Sequence, residues 1–198
     1  SRPLAFDIDR ITLSDVRARI KDDTAKLDGE LVLATLATGR IADGVAAPVE
    51  PSASADFRQP VLKGTLAGKT TLTPELASGS VKLADMNLAW KGDVPGASGV
   101  DAQLRGALAW DGAKGSVEAR KLDLTLGARA GAIQIAGSTL AIAAFAYDPA
   151  KQALRVEALE LRVKGQRGKD ALALDLDWPQ LDVAGTKLAG SPLKGRLA

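Results

Sequence analysis

The sequence contains no cysteine and no histidine among its 198 residues. Without cysteine the chain can form neither disulfide bonds nor thiolate metal sites, although this does not determine the cellular compartment in which it works. Without histidine it lacks the side chain that most often serves as a general base near neutral pH. We therefore expect no enzymatic activity, no cofactor and no metal site.

Aromatic residues are also scarce, at 4% of a chain that is 46% hydrophobic. Alanine, leucine and glycine supply most of the rest, so few large anchors are available to lock a compact core. The chain also has no large excess of charge of either sign, because 26 basic and 24 acidic residues leave a net charge of +2. This even mixture differs from the basic surface that nucleic-acid-binding proteins use, and we expect no nucleic-acid partner.

Helical periodicity is not sustained anywhere, and alternation with a period of two takes its place. Glycine and proline interrupt the alternating segments at intervals typical of hairpins, so the sequence predicts an all-β chain. The alternation shifts at Ala84-Asp85, which predicts a β-bulge, and again at Ala158. Residues 42–54 do not alternate and are predicted to form a loop. The uncharged stretch from Ala130 to Tyr147 is long enough to suggest a membrane-spanning helix, but glycine and polar residues argue against one.

An internal repeat with an offset of 37 residues, from 110 to 147, is the strongest signal in the chain. Trp110-Asp111 and Lys114 align with Tyr147-Asp148 and Lys151, and alternating aliphatic residues follow each copy. Either two or three strands can be counted along the chain from Trp110 to Tyr147. We favour two, because three would reverse the second copy in an antiparallel sheet. Residues 132–147 are then one strand, bulged or kinked near Gly137, that spans about 50 Å at roughly 3.3 Å per residue.

The whole chain, residues 1–198, is predicted to be a single repetitive sheet domain. Alternation begins at Leu4, Phe6 and Ile8, and strand-like sequence continues to Ala198. We therefore expect the chain to be a section of a longer protein, in which an anchor or further repeats lie outside it.

Paired carboxylates are the remaining candidates for chemistry. Asp22 and Asp23 lie on a predicted turn, and Asp175 and Asp177 lie on the polar face of a predicted strand, so solvated side chains explain both pairs. The first region lacks the alternating oxygen ligands of a calcium loop. Residues 164–169 could contact an anionic headgroup, but a charged hairpin tip that keeps a sheet edge soluble is the better explanation.

Several sequence segments, taken together, resemble those of the AsmA family of bacterial envelope proteins, which are related to bridge-like lipid transfer proteins. They run from Phe6 to Asp15, from Lys63 to Gly68, from Val81 to Leu88 and from Tyr147 to Gly165. The resemblance implies a periplasmic protein of Gram-negative bacteria, held in the inner membrane by an N-terminal anchor outside this chain. It also implies a long, curved sheet that forms an open apolar groove, carries phospholipid between the membranes and supports outer-membrane biogenesis.

The leucine stripes allow two architectures: an open groove that receives acyl chains, or the closed core of a β-sandwich or barrel. We favour the groove, with phospholipid or another acyl lipid and neighbouring repeats of the full-length protein as partners. A structural or protein-interaction scaffold of the cell envelope is the alternative function. The candidate groove residues are Leu31, Leu33, Leu83, Met86, Leu88, Trp90, Leu104, Leu108, Trp110, Leu122, Leu124, Leu126, Ile133, Ile135, Leu159, Leu161, Val163, Leu172, Leu174 and Leu176.

Strand alternation gives a direct mutational test. We expect Leu124→Asp to abolish lipid retention or folding, whereas Asp123→Lys should be tolerated, because neighbours on a strand face opposite sides of the sheet. Circular dichroism and lipid analysis of the purified variants measure both effects. Equal tolerance of the two substitutions would contradict the predicted register.

Overall fold

A computed structural model describes residues 7–24 and 26–198, and the chain it describes is all β. Its strands are β1 (Asp7–Ile8), β2 (Thr12–Asp22), β3 (Leu27–Thr38), β4 (Ile41–Ala42), β5 (Ala47–Gln59), β6 (Leu62–Glu75), β7 (Ser80–Val94), β8 (Ala97–Asp111), β9 (Ser116–Ala130), β10 (Ile133–Asp148), β11 (Ala153–Arg167), β12 (Asp170–Ala184), β13 (Lys187–Gly190) and β14 (Lys194–Leu197). Leu4 and Phe6, which begin the predicted alternation, lie outside the described residues.

Twelve of these strands form one antiparallel sheet in which chain order is almost the same as spatial order. The sheet runs from β2 and β3 through β5 to β12, while β13 and β14 both pair with β12. The short strands β1 and β4 pair with each other beside the sheet. Tight turns join successive strands, and Gly131 and Gly168 adopt positive φ angles of 56° and 63° in two of them, a conformation that glycine allows without strain.

The sheet is a single open layer. It does not close into a barrel. Among the described strands, extensive contacts occur only between strands that are neighbours in the sheet. The accessible surface is 13031 Å², about one and a half times the roughly 8,800 Å² expected for a compact monomer of 20.4 kDa. The predicted open sheet of repeated hairpins is confirmed, and the alternative closed sandwich or barrel is wrong.

Two predictions about long strands are also confirmed. The segment predicted as one kinked strand is β10, and its register shifts between Ile135 and Ser138, next to Gly137. The predicted bulge at Ala84-Asp85 is present, with Asp85 at a φ of 51°. Trp110 and Tyr147 therefore occupy equivalent positions on β8 and β10, two strands apart, and lie on either side of Val117.

The prediction of a loop over residues 42–54 is wrong for most of its length. Ala42 ends β4 and a turn follows, but β5 begins at Ala47 and pairs with both β3 and β6. Alanine, serine and proline dominate this segment, so the hydrophobic alternation that marks the other strands is weak. Pairing on both sides nevertheless holds it extended, and Ala47 is completely buried.

A transverse line of irregularities crosses the sheet near its middle, which we call the kink line. In five strands, β7 and β9 to β12, two successive residues of one face lie three positions apart instead of two, for example Ala119 and Leu122 on β9 and Val156 and Leu159 on β11. The left-handed residues Lys121 and Ala158 (φ 51° and 49°) provide the extra position there. Because neighbouring steps are aligned, the strands bend and twist at one common level.

Ala158 offers a test of this kink. A left-handed backbone costs an alanine roughly 1–2 kcal/mol, so Ala158→Gly should raise the free energy of unfolding by about 1 kcal/mol after the entropic cost of glycine. Ala143→Gly is the matched control on the neighbouring strand, since Ala143 is not among the positive-φ residues, and it should lower stability by about 0.5–1 kcal/mol. Urea unfolding measures both changes, and destabilisation by both substitutions would contradict the backbone geometry at Ala158.

Candidate functional site

One face of the sheet is covered by aliphatic and aromatic side chains, and we call it the apolar face. Residues opposite each other on paired strands share a face, so the register defines rows of side chains that cross the sheet. One row lies on one side of the kink line and contains Leu88, Leu104, Leu124, Leu140, Leu161 and Leu176. A second lies across the kink line and contains Leu72, Leu83, Leu108, Ala119, Phe145, Val156 and Leu181. A third, near the hairpin turns, contains Val81, Trp110, Val117, Tyr147, Leu154, Val183 and Leu188.

These side chains touch their neighbours but nothing covers them among the described residues. No large side chain is fully buried in the described part of the chain. The leucines of the first row are half-buried, while Trp110 and Tyr147 of the third row are 45% and 42% exposed. At about 4.8 Å between strands, the six leucines form a continuous apolar strip roughly 24 Å long.

Every candidate groove residue named from the sequence lies on the apolar face. Leu31 and Leu33 of β3 lie beside Ala18 and Val16 of β2, and the remaining candidates extend across β7 to β12. Residues that the sequence did not single out complete the face; they are Leu66, Leu72, Leu140, Ile142, Phe145, Leu154, Val156, Leu181 and Val183. The three-residue step at the kink line placed several of them out of phase with a simple alternation.

All three tryptophans of the chain lie on this face. The Trp90 ring packs over Gly64, which pairs with Gly92 on the neighbouring strand. A larger residue would not fit there, since a Cβ atom at position 64 would lie 2.7 Å from Trp90 Cζ2. Trp90 Nε1 is buried and has no hydrogen-bond partner among the described residues. Trp178 Nε1 instead donates to the Ser191 carbonyl oxygen at 3.0 Å. The indoles therefore contribute apolar ring surface to this face.

The opposite face is polar and carries charge pairs between neighbouring strands. Lys63 contacts Asp56 at 3.2 Å, and Lys91 contacts Asp101 at 3.4 Å. These pairs are exposed and each contributes little to stability. Their charged groups keep this face hydrated. The apolar face is therefore the only extensive nonpolar surface of the described sheet that no other layer covers.

Asp175 and Asp177 form part of this polar face and do not resemble a catalytic pair. Arg162 donates to Asp177 at 2.6 Å and lies 3.6 Å from Asp175. The hydrogen bond to Asp177 is the main cause that raises the pKa of the Arg162 guanidinium. The arrangement is a cross-strand ion pair between β11 and β12.

The other sequence candidates lie at or beside hairpin turns. Thr24 N–H donates to Asp22 Oδ1 at 2.9 Å, which confirms the turn at Asp22-Asp23. The basic segment 164–169 ends β11 and enters the hairpin turn before β12. Within residues 7–24 and 26–198, no group of three acidic side chains is arranged to hold a metal ion. The same residues include no helix long and apolar enough to cross a membrane.

Hairpin turns at one end of the sheet bond to each other across strand pairs, and together we call them the turn rim. Leu76 N–H donates to Asp43 Oδ1, Gly112 N–H to Ser80 Oγ and Gly185 N–H to the Gln152 carbonyl oxygen. Each bond joins a turn to the next one along the sheet. The rim therefore fixes the spacing of the strand ends that border the apolar face.

The two repeated turns carry the same ion pair. Asp111 Oδ1 accepts from Lys114 N–H at 3.1 Å while Asp111 Oδ2 accepts from Lys114 Nζ at 2.9 Å. Asp148 has the same relation to Lys151, with a Nζ distance of 3.1 Å. In both turns the hydrogen bond from the lysine side chain is the main cause that lowers the carboxyl pKa below its ordinary value of 3.8.

Comparisons with known proteins do not assign the chain to a family: no family model, no curated protein and no solved structure matches it.

The repeated turns predict a pH-dependent contribution to stability. Because folding lowers the pKa of Asp111 and Asp148, their contribution is present above pH 3.8 and is lost as the pH falls through the folded-state values. The double variant Asp111→Asn/Asp148→Asn should therefore be less stable than the parent at pH 7, and the difference should shrink on acidification below pH 3.8.

Chemical denaturation at a series of pH values between neutral and strongly acidic measures this difference. As a control, the same double substitution in a Lys114→Gln/Lys151→Gln background should have a smaller effect at pH 7. A stability difference that stays constant with pH would contradict the assigned ion pairs.

Proposed function

We propose that the apolar face binds the acyl chains of phospholipid, and that the protein is a section of a hydrophobic groove for lipid transport in the cell envelope. One observation carries this proposal: among the described residues, no second layer lies over the aliphatic face that spans the sheet. A stable water-soluble protein normally covers such a surface, and large exposed apolar patches mark sites of interaction with other molecules or membranes.

The chemistry of the face suits lipid tails. Leucine, valine and alanine side chains offer no directional contacts, and acyl chains require none. Burial of a tail of ~16 methylenes at roughly 0.8 kcal/mol each gives a gross driving force on the order of 10 kcal/mol before ordering costs. This is sufficient for binding without any polar group that recognises the tail.

The shape of the sheet supports a conduit in preference to a single pocket. Because the rows of apolar side chains continue from strand to strand, a bound chain meets a similar environment at each hairpin. Bulges increase twist and bend strands, so the aligned steps of the kink line favour a sheet that curves around a guest. Further repeats in a longer protein would lengthen the same surface.

The biological setting is a proposal that follows from the sequence resemblance to the AsmA family. In that setting the full-length protein is periplasmic, is tethered to the inner membrane by an N-terminal anchor, and carries phospholipid between the inner and outer membranes. It would thereby support outer-membrane biogenesis. No catalytic step is required, which agrees with a chain that contains neither histidine nor cysteine.

The tryptophans give a direct test with unlabelled protein, because Trp90, Trp110 and Trp178 all lie on the apolar face. A phospholipid with brominated acyl chains should quench their fluorescence, whereas the same lipid without bromine should not. Bound lipid should also protect Trp110, the most exposed of the three on this face, from quenching by acrylamide. Native mass spectrometry of the purified protein should show retained phospholipid.

A matched pair of variants separates the two faces. Leu104 lies opposite Leu124 on the apolar face, and Gln103 lies opposite Thr125 on the polar face of the same two strands. Leu104→Ser/Leu124→Ser should weaken binding of the brominated lipid about tenfold, equivalent to about 1.4 kcal/mol, since two apolar contacts are lost. Gln103→Ser/Thr125→Ser should leave it unchanged. A protein without retained lipid that also shows no bromine quenching would refute lipid binding.

A further inference from the structure

The two edges of the sheet differ, and one of them is open for pairing. Strand β2 is the outermost strand on its side and pairs only with β3 in the described chain. It runs for 11 residues, and all but one of these are exposed. In an antiparallel ladder, about half of the N–H and C=O groups of an edge strand point away from its partner. From Thr12 to Lys21, strand β2 therefore presents a long row of main-chain groups that have no partner among the described residues.

The opposite edge is interrupted. Strands β13 and β14 have 4 residues each, and Pro192 lies between them. Ser191 N–H donates to the Gln180 carbonyl oxygen, and Gln180 N–H donates to Ser191 Oγ, so this break is fastened to β12. Short strands and proline are devices that discourage further pairing. The described part of β2 contains no proline.

The side chains of β2 specify what could pair with it. Its apolar-face residues include Leu13 and Val16, which are 42% and 47% exposed. On the polar face, Arg17, Arg19 and Lys21 occupy successive positions and form a basic row. Two of them have acidic neighbours within the chain at long, exposed contacts: Arg17 lies 3.8 Å from Glu30, and Lys21 lies 3.9 Å from Asp23. On the side already paired, β3 places Glu30 opposite Arg19 and Asp28 opposite Lys21.

Cross-strand charge pairing recurs throughout the polar face, as Lys63 with Asp56 and Lys91 with Asp101 show. A new strand beside β2 would place its own outward side chains directly next to Arg17, Arg19 and Lys21. Acidic residues at those positions would be favourable, and basic residues would be repelled. A second copy of this chain does not meet the requirement, because its opposite edge presents Lys194 and Arg196 on the same face.

We infer that β2 is a docking edge for an extended segment of a partner polypeptide whose alternate residues are aliphatic and acidic. The segment adds an antiparallel or parallel strand beside β2, with its aliphatic side chains continuing the apolar face and its carboxylates beside the three basic residues. This inference goes beyond lipid binding and does not depend on it.

The probe is a fluorescein-labelled peptide of alternating valine and glutamate, as long as β2, and fluorescence anisotropy at low salt measures its binding. The parent protein should bind this peptide, and a peptide with lysine in place of glutamate should not bind. N-methylation of alternate peptide nitrogens on the pairing side should abolish binding, since strand addition needs those N–H groups. Retained binding of the methylated peptide would overturn the inference, because it would show attraction by charge alone.

Two matched variants test the location. Arg17→Glu/Arg19→Glu should lose at least tenfold in affinity for the acidic peptide and should gain affinity for the lysine peptide. Lys194→Glu/Arg196→Glu makes the same charge change on the opposite edge and should bind the acidic peptide as the parent does. Circular dichroism checks that both variants fold.

Several results would overturn the inference: no binding of the acidic peptide to the parent protein, equal loss in both variants, or undiminished binding by Arg17→Glu/Arg19→Glu. Light scattering of the protein alone supplies one more. A concentration-dependent dimer that Arg17→Glu/Arg19→Glu disrupts would show that a second copy covers β2 in place of the proposed segment.

Discussion

Main-chain hydrogen bonding between neighbouring strands is the interaction on which the rest of this structure depends. In a sandwich or barrel, side chains from two layers bury each other and carry much of the stability. Here the described sheet has one layer, and extensive contacts join only adjacent strands. Each hairpin is therefore stabilised by its two neighbours, as in repeat proteins, and main-chain pairing alone does not fix the number of strands.

This dependence explains where sequence reasoning succeeded. A row of leucines on successive strands requires that each strand alternate, and that pattern is visible from Leu122 to Leu126 and from Leu172 to Leu176. The repeat fixed the direction of β8 and β10, and the direction then required one long strand between Ala132 and Tyr147. Because the pairing is local, the strand order follows from chain order. The candidate residues therefore share one face, as the alternation predicts, whereas residues beyond the kink line such as Phe145 and Val156 were not singled out.

It also explains where the sequence misled. Strand β5 lacks hydrophobic alternation, so nothing in residues 47–54 indicates a strand; it is extended because β3 and β6 pair on both sides. The three-residue step from Ile142 to Phe145 has a related cause. Its phase is decided by Leu159 and Val156 on the neighbouring strand, and a single strand read alone does not contain that information. Pairing across strands, which connects residues distant in sequence, determined both outcomes.

A single layer also links the proposed lipid site to the sheet edge. If aliphatic side chains are not covered by protein, whatever occupies the apolar face adds to the stability of the folded state by mass action. A strand added beside β2 would extend both the main-chain ladder and the apolar rows at once. Lipid and a partner strand would then stabilise the same sheet through different groups: the lipid through side chains on one face, and the partner strand through main-chain groups at one edge.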